Sequence, residues 1–439
     1  MASFIEPKTL KGFRDFLPED EILRASLTEK LTCVFRSYGF LPIDTPVLEY
    51  SEILLRKSEG ETEKQMFRFC DNGGRDVGLR FDLTVPFARF TAEHKDKLAF
   101  PFKRYQIAKV WRGEKPQAGR YREFVQCDFD TIGADCAAAD FETLLVAHSA
   151  LKAIGVANVT LRVNHRGIFN HFLERLSLRG QSEAILRTVD KIAKVGKDKV
   201  LTGLEGITGS EEAAHQIADF ITPLDDSEGT LSKIEELSGA VEECERLRSV
   251  LSLLKECGIE SAVVVDPSVT RGLDYYTGVV FETFLDELPS IGSVCSGGRY
   301  DDLAGLYTKD KISGVGASIG LDRLIAALAE LGKGGKTQGY IDAEVFCSSC
   351  DAQEEAERQR LACLLRQRGV GVDVFPDCAK MSKQYALAES KGVPWGIFCK
   401  TDDAGVVTFA LKDLKTRKIT EGFSPDDADK IAQIIKGEV

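Results

Sequence analysis

The chain has 439 residues, 43% hydrophobic and 29% charged, with a formal net charge of −12 at neutral pH. That length exceeds one typical domain and calls for at least two cores. No apolar run approaches the roughly 18 residues needed to span a bilayer, and the acidity argues against a protein that coats nucleic acid non-specifically. The opening Met1-Ala-Ser-Phe-Ile-Glu-Pro lacks the basic-then-apolar pattern of an export signal. The twelve cysteines are scattered singly, with Cys33, Cys127 and Cys363 inside apolar runs, as buried thiols are in a reducing cytoplasm. A cytoplasmic protein without membrane contact is therefore expected.

Pro18-Glu-Asp-Glu opens a predicted helix, with proline in its first turn and acids at the positive end of its dipole. Leu23, Leu27, Leu31, Val34, Phe35 and Tyr38 supply an apolar stripe, and Gly39 ends the helix. Phe40 to Glu49 reads as extended, because Pro42 and Pro46 forbid helix and push their predecessors towards β geometry. Strands are predicted at Asp76 to Leu83, Lys103 to Arg112 and Phe124 to Thr131. The link between the last two is too short for a parallel crossover, which points to an antiparallel sheet. From Arg166 to about Glu256, leucines and isoleucines recur at helical spacing among many charges, as in a helical insertion. Strand signals return at Ser261 to Val265 and Tyr275 to Phe284, and Gly314 to Gly320 leads into a predicted helix, Leu321 to Leu331.

Residues 332–340 read as a linker by composition. The remainder alternates strand and helix: Ala343 to Phe346, Gln353 to Gln367, Val370 to Phe375, Ser382 to Lys391 and Trp395 to Cys399. The expected fold class is thus α+β. An antiparallel-sheet domain occupies 1–331, with a helical insertion over about 166–256, and a smaller α/β domain occupies 341–439.

The chemistry concentrates between Pro101 and Arg122, where Lys103, Arg104, Lys109, Arg112, Lys115, Arg120 and Arg122 face the single acid Glu114. Strand alternation puts Phe124, Gln126, Asp128 and Asp130 on one face and Val125, Cys127 and Phe129 on the other. Arg112 shares a side with Ala108 and Val110, a cation held at a strand end as an anion site requires. A lone Arg or Asp there would read as a solvated ion pair, and it is the density of charge that argues for a ligand. Cys347-Ser-Ser-Cys350 has the spacing of half a zinc or redox site, but no second Cys-x-x-Cys or close His pair completes it, so no protein-held metal is expected.

Arg112-Gly-Glu114, the loop Lys115 to Arg122 and Glu123-Phe-Val-Gln126-Cys-Asp-Phe-Asp130 together resemble the second signature motif of class II aminoacyl-tRNA synthetases, in its histidyl form. Gly39 to Glu49 is similar to the first motif, which forms the dimer interface in that family. Gly316-Ala-Ser-Ile-Gly-Leu-Asp-Arg323 is similar to the third. Most specific are Arg271-Gly-Leu-Asp-Tyr-Tyr-Thr-Gly278 and Ser296-Gly-Gly-Arg-Tyr-Asp-Asp-Leu303, which resemble the two peptides that set histidyl enzymes apart. The resemblance spans nearly the whole chain, and the last hundred residues look like the anticodon-binding domain of class IIa enzymes. Lys380-Met-Ser-Lys383, which matches a class I lysine loop, lies in that stretch without its partner motif. Gly314 to Gly320 lacks both the final spacing and the βαβ unit of a dinucleotide loop.

The resemblance implies ATP-dependent activation of L-histidine and its transfer to tRNA-His by a homodimer, with Mg²⁺ bridging the ATP phosphates. It implies that Arg112 and Arg271 are catalytic, and that Arg112, Glu114, Arg120 and Arg323 bind ATP. Histidine would be bound by Asp82, Leu83, Thr84, Arg112, Gln126, Asp130, Arg271, Tyr275 and Tyr276. Of these, Asp82, Thr84 and Gln126 take the ammonium, and Asp130 and Tyr276 the imidazole. Gln117, Arg120 and Arg122 would meet the tRNA. The glycines of Ser296-Gly-Gly are expected to let backbone approach the ligand closely. Two other readings stay open. Catalytically silent relatives serve as regulatory subunits of ATP phosphoribosyltransferase, but they lack an anticodon domain, whereas this chain keeps 341–439 and its arginines. A class IIa enzyme for threonine, proline or glycine would share that domain but not Arg271 to Gly278.

Overall fold

The computed structural model describes residues 4–438 apart from 56–60, 118, 191, 193–195, 271–275, 302–304, 306, 310, 334–338 and 350. Arg271, Tyr275 and Cys350 therefore lie outside the described residues. The chain divides into two compact units, residues 1–16 with 24–334 and residues 17–23 with 335–439.

The first unit contains β1 (Leu41–Pro42), β2 (Leu48–Tyr50), β3 (Arg68–Cys70), β4 (Asp76–Leu79), β5 (Phe102–Trp111), β6 (Glu123–Ile132), β7 (Val159–His165), β8 (Val263–Val265), β9 (Val279–Leu285), β10 (Cys295–Tyr300) and β11 (Gly314–Gly320). Eight of these form one sheet in the order β1-β5-β6-β11-β10-β9-β7-β8, and β2, β4 and β3 form a small second sheet. The inner pairings of the large sheet are antiparallel. The edge pairs β1–β5 and β7–β8 are parallel. Register runs from Phe102 opposite Ile132 to Trp111 opposite Glu123, so Arg104, Gln106 and Ala108 lie across from Asp130, Asp128 and Gln126.

Alternation divides β6 as the sequence leads one to expect. On the apolar face Phe129 packs 5.1 Å from Phe35, a residue of the helix Pro18–Ser37, and edge-on to Phe40 at 5.8 Å. Burying each such ring contributes about 2–3 kcal/mol. The polar face carries Arg104, Gln106, Gln126, Asp128 and Asp130, all of them buried. A sheet with one oily face and one buried polar face has its core on one side and room for a ligand on the other.

Several predicted elements change shape. The strand expected over Asp76 to Leu83 stops at Leu79, because Asp82 Oδ1 accepts the backbone N–H groups of Thr84 (3.0 Å) and Val85 (2.9 Å) and starts the helix Thr84–His94. Pro86 fits inside that first turn, where a missing N–H costs nothing. β9 starts at Val279, not at Tyr275. β10 is a strand that composition hides, since Ser296-Gly-Gly has little strand propensity. A Cβ on Gly297 would stand 2.4 Å from the Gly316 carbonyl oxygen, and one on Gly298 would stand 2.9 Å from the Tyr276 ring. The close approach that these glycines permit is thus to the next strand and to Tyr276.

Residues of the insertion form the helices Arg166–Arg175, Ser182–Val189, Lys197–Thr208, Glu211–Phe220, Ser227–Ser238 and Val241–Glu256. Phe172 and Phe220 stack at 4.1 Å to seed their core.

The second unit contains β12 (Ala343–Phe346), β13 (Val372–Val374), β14 (Trp395–Thr401), β15 (Val407–Asp413) and β16 (Ile419–Phe423), in the order β13-β12-β14-β15-β16. β13 and β14 pair with β12 in parallel, and β15 and β16 extend the sheet antiparallel. The helices Ala352–Gln367 and Ala428–Lys436 close the core, Leu361 and Leu365 meeting Ile431 and Phe409. β15, β16 and the last helix extend the α/β pattern past the predicted elements.

Cys33 and Cys363 are exposed, against expectation. Cys33 lies two residues past Leu31, about 200° round the helix from that buried position. Cys363 follows the buried pair Leu361 and Ala362 on the outer side of its helix. Cys347 Sγ stands 3.3 Å from Cys378 Sγ, a neighbour that no sequence spacing announced. No described helix is long and apolar enough to cross a membrane.

Candidate active site

Two adjoining cavities open on the polar face of the large sheet. The first, about 220 Å³, is lined by Asp82, Thr84, Arg112, Gln126, Asp130 and Tyr276, with Gly316 and Ser318 from β11. The second, about 190 Å³, is lined by Arg112, Glu114, Arg120, Phe124, Gln126 and Arg323. Arg112, Gln126, Ser296 and Ser318 belong to both walls, so the two cavities adjoin there and Arg112 borders each of them.

In the first cavity Asp130 is held from two sides. Tyr300 donates its hydroxyl to Oδ1 at 2.6 Å, and Arg104 pairs with Oδ2 at 2.7 Å. Both charged side chains are almost wholly buried, 0% and 3% exposed. Burial raises the Asp130 pKa, against the pull of Arg104 and Tyr300. Burial, and next Asp130, drives the Tyr276 hydroxyl upward, so it stays a neutral O–H that can donate or accept. Burial likewise raises Asp82, against the hydrogen bond from Val85 and the charge of Arg112. A buried carboxyl held above its ordinary range is relieved by an incoming cation such as an ammonium. Leu83 is fully buried and acts through its backbone, its carbonyl accepting from Arg104 at 3.4 Å.

The second cavity is cationic. Arg112 donates Nε to the Phe81 carbonyl at 3.1 Å, and its guanidinium lies 4.5 Å from the Phe81 ring and 5.2 Å from the Phe124 ring. Arg323 donates to the Ser293 carbonyl. Burial lowers its pKa, and Arg120 and Arg112 push the same way, partly offset by Glu114 and Glu282. Three guanidinium groups, one of them disfavoured first by burial and then by its neighbours, form a site that a polyanion stabilises.

Arg120 and Arg323 also reach a wider cavity of about 750 Å³, together with Gln117, Arg162 and Glu282. Gln117 and Arg120 exchange backbone hydrogen bonds of 3.1 and 2.9 Å, which pins the loop tip. Arg122 is not among the residues lining these cavities. It donates to the carbonyls of Glu114 (3.2 Å) and Lys11 (3.4 Å), bracing the loop against the N-terminal segment. Asp322 supports the same region: its Oδ2 accepts from the backbone of Val125 at 2.7 Å, and it pairs with Arg14, which lies 3.3 Å over the Tyr121 ring.

Sequence reasoning passed over Arg104, Ser318, Tyr300 and Arg14 as site residues. Arg104 was legible in principle, since strand parity with Arg112 and the hairpin register put it opposite Asp130. Tyr300 lies in the singled-out peptide Ser296 to Leu303, but its bond to Asp130 spans 170 residues and that of Arg14 to Asp322 spans 308, pairings that no local pattern gives.

A family model described as histidyl-tRNA synthetase matches residues 12–324. The chain belongs to the histidyl-tRNA synthetase family. A histidine–tRNA ligase from Treponema denticola is 57% identical over 92% of this chain and 91% of its own length. One from Rhodopirellula baltica is 45% identical over 98% and 99%. The crystal structure of a histidyl-tRNA synthetase from Nostoc sp. superposes with a TM-score of 0.86, at 29% identity, covering 99% of this chain and 100% of that one. The α+β fold of the first unit is that of the family.

Proposed function

We propose that this chain activates L-histidine with ATP to histidyl-adenylate and transfers the histidyl group to tRNA-His. The observation that carries the reading is the pair of cavities joined at Arg112, one with buried carboxyls for an ammonium and an imidazole, the other ringed by guanidinium groups. Histidine enters the first, its ammonium at Asp82, Thr84 and Gln126 and its imidazole at Asp130 and Tyr276. Its carboxylate points at Arg112. ATP occupies the second, with Arg323 and Arg120 on its phosphates and Glu114 beside them. A carboxylate oxygen attacks the α-phosphorus, the bond to pyrophosphate breaks, and the arginines neutralise the charge that grows on the phosphoryl oxygens.

Mg²⁺ fits this cavity, since Glu114 is a hard oxygen donor on its wall and Mg²⁺ takes one or two carboxylates with substrate phosphates. When bound, it shields the phosphate charges from the incoming carboxylate. Arg271 and Tyr275 join the site by resemblance, Arg271 as a further cation at the α-phosphate. Gln117 and Arg120 face the acceptor end of the tRNA from the loop that Arg122 braces. We assign the chain to the cytoplasm, with residues 341–439 reading the anticodon. We also infer a homodimer through the helix Pro18–Ser37 and the segment after it, and a monomeric mass in solution would overturn that.

Amino-acid-dependent pyrophosphate exchange tests the reading across all twenty amino acids, with wild type and Arg271→Ala. Histidine alone is expected to support exchange, and the variant is expected to lose it. Exchange with no amino acid would leave a regulatory subunit as the better reading, and exchange with another amino acid would reassign the first cavity.

A further inference from the structure

Where β7 runs into the insertion, three consecutive residues hold the chain on either side of residues 271–275. Asn164 is 2% exposed, and its amide nitrogen donates to the carbonyls of Pro267 (3.2 Å) and Val269 (3.1 Å), on the near side. Arg166 takes the far side: its backbone N–H donates to the Gly278 carbonyl at 2.9 Å, and its Nη1 to the Tyr276 carbonyl at 3.0 Å. Between them, His165 lies across from Val279 at the start of β9 and caps the helix Arg166–Arg175, its Nδ1 accepting the Gly167 N–H at 3.1 Å.

Tyr276 stands before β9, so its carbonyl takes its hydrogen bond from a side chain where a strand residue would take one from the ladder. A guanidinium donor makes that bond a charge-assisted one. The next peptide unit is held from the opposite side, the Thr277 N–H donating to the Arg299 carbonyl at 2.8 Å. The Tyr276 ring closes on Gly298, where a Cβ would stand 2.9 Å from it. A tyrosine whose backbone is gripped on two sides and whose ring is confined on a third has few directions left for its hydroxyl. We propose that Arg166 is the positioning residue for Tyr276, holding its backbone so that the hydroxyl meets the imidazole of histidine in the first cavity. The inference rests on the histidine-activating reading, in which Tyr276 takes the imidazole, and it gives the insertion a part in choosing the amino acid.

Arg166 works from a fixed base, because the insertion is tied to the same wall at its other end. Arg246, in the helix Val241–Glu256, donates Nε to Asp140 Oδ2 at 2.7 Å, and Arg299 of β10 donates Nε to Asp140 Oδ1 at 2.9 Å. One buried carboxylate thus joins the last helix of the insertion to the strand that packs on Tyr276. A binding contact of this kind tolerates a displacement of about 0.5 Å, so what holds the tyrosine backbone sets the strength of the contact.

The test compares wild type with Arg166→Met, Arg166→Lys, Tyr276→Phe and the double variant Arg166→Met/Tyr276→Phe. Two quantities are measured: histidine-dependent pyrophosphate exchange, and equilibrium binding of histidinol, which carries the imidazole and the ammonium but no carboxylate. Methionine keeps the backbone bond to Gly278 and removes the donor to Tyr276. Arg166→Met is expected to raise the KM for histidine and the Kd for histidinol by the same factor, roughly 5- to 30-fold, with the KM for ATP within about threefold. In the Tyr276→Phe background no hydroxyl remains to be aimed, so the same substitution should change either constant less than about twofold, a non-additivity that a general loosening of the fold would not give. Arg166→Lys keeps a cationic donor and should fall between wild type and Arg166→Met. An unchanged Kd for histidinol in Arg166→Met, a loss undiminished in the Tyr276→Phe background, or a lysine variant as impaired as the methionine one would each overturn the role of Arg166. Wild type that neither exchanges with histidine nor binds histidinol would overturn the functional reading itself, whereas wild type that does both leaves that reading standing whatever Arg166 does.

Discussion

Arg112→Ala is expected to lower kcat for histidine-dependent pyrophosphate exchange by roughly 10²- to 10³-fold, more than it raises the KM for either substrate. Among the described residues Arg112 is the cation common to both cavities, and in the proposed reaction it would face both the attacking carboxylate and the α-phosphoryl group. It is also held before either ligand arrives, with Nε on the Phe81 carbonyl and its guanidinium carbon 4.5 Å and 5.2 Å from the centres of the Phe81 and Phe124 rings. A donor that needs no reorganisation acts mainly on charge that develops in the transition state, and its loss appears in kcat. Arg112→Lys should recover little, because an ammonium cannot span two oxygens as a planar guanidinium fork does, nor keep the Nε–H bond to the Phe81 carbonyl. Steady-state exchange with histidine and ATP varied in turn decides the matter. A variant whose kcat stays within threefold of wild type would remove Arg112 from the reaction.

The parts of this site that the sequence made legible are those governed by a period of two. Gln126 and Asp130 line the cavities, with buried Asp128 on the same strand face between them, because strand side chains alternate, and the hairpin at 112–122 is too short to join its strands in parallel. What escaped follows from forces that no period reports. Leu79 ends its strand because the Asp82 side chain three residues on offers a better partner to the backbone of Thr84 and Val85 than a ladder would. β10 is a strand because β9 and β11 flank it, and its glycines let Gly316 and Tyr276 come close. Propensity, which reads Ser296-Gly-Gly as a turn, has no access to those neighbours. The anchors of Asp130 divide the same way. Arg104 follows from register, whereas Tyr300 arrives from a strand whose place in the sheet is fixed only when the whole fold is formed.

That buried anchoring has a stability consequence. Arg104→Met should destabilise the first unit by about 3–5 kcal/mol at pH 8, since it removes one partner of an ion pair and leaves the other inside. Asp130 would keep only the Tyr300 hydroxyl, and methionine restores the volume beside Phe87 that the guanidinium now covers at 4.3 Å. The sign with pH follows from Asp130. Burial already raises its pKa above the unfolded value, and Arg104 is the larger of the two influences pulling it down. Without Arg104 the folded-state pKa rises further. A carboxyl whose pKa is higher folded than unfolded destabilises the fold where it must ionise, and that penalty fades as pH falls towards the unfolded value of about 4. The deficit of Arg104→Met against wild type should therefore be largest at pH 8 and shrink steadily towards pH 5. Adding Asp130→Asn should restore much of the loss at pH 8, because no buried charge is then left unpaired. Urea unfolding followed by Trp111 fluorescence in a Trp395→Phe background isolates this unit from the other, one tryptophan lying in each. A deficit of equal size at pH 5 and pH 8, or one that Asp130→Asn leaves untouched, would mean that Arg104 stabilises the sheet by packing on Phe87 and not by neutralising Asp130.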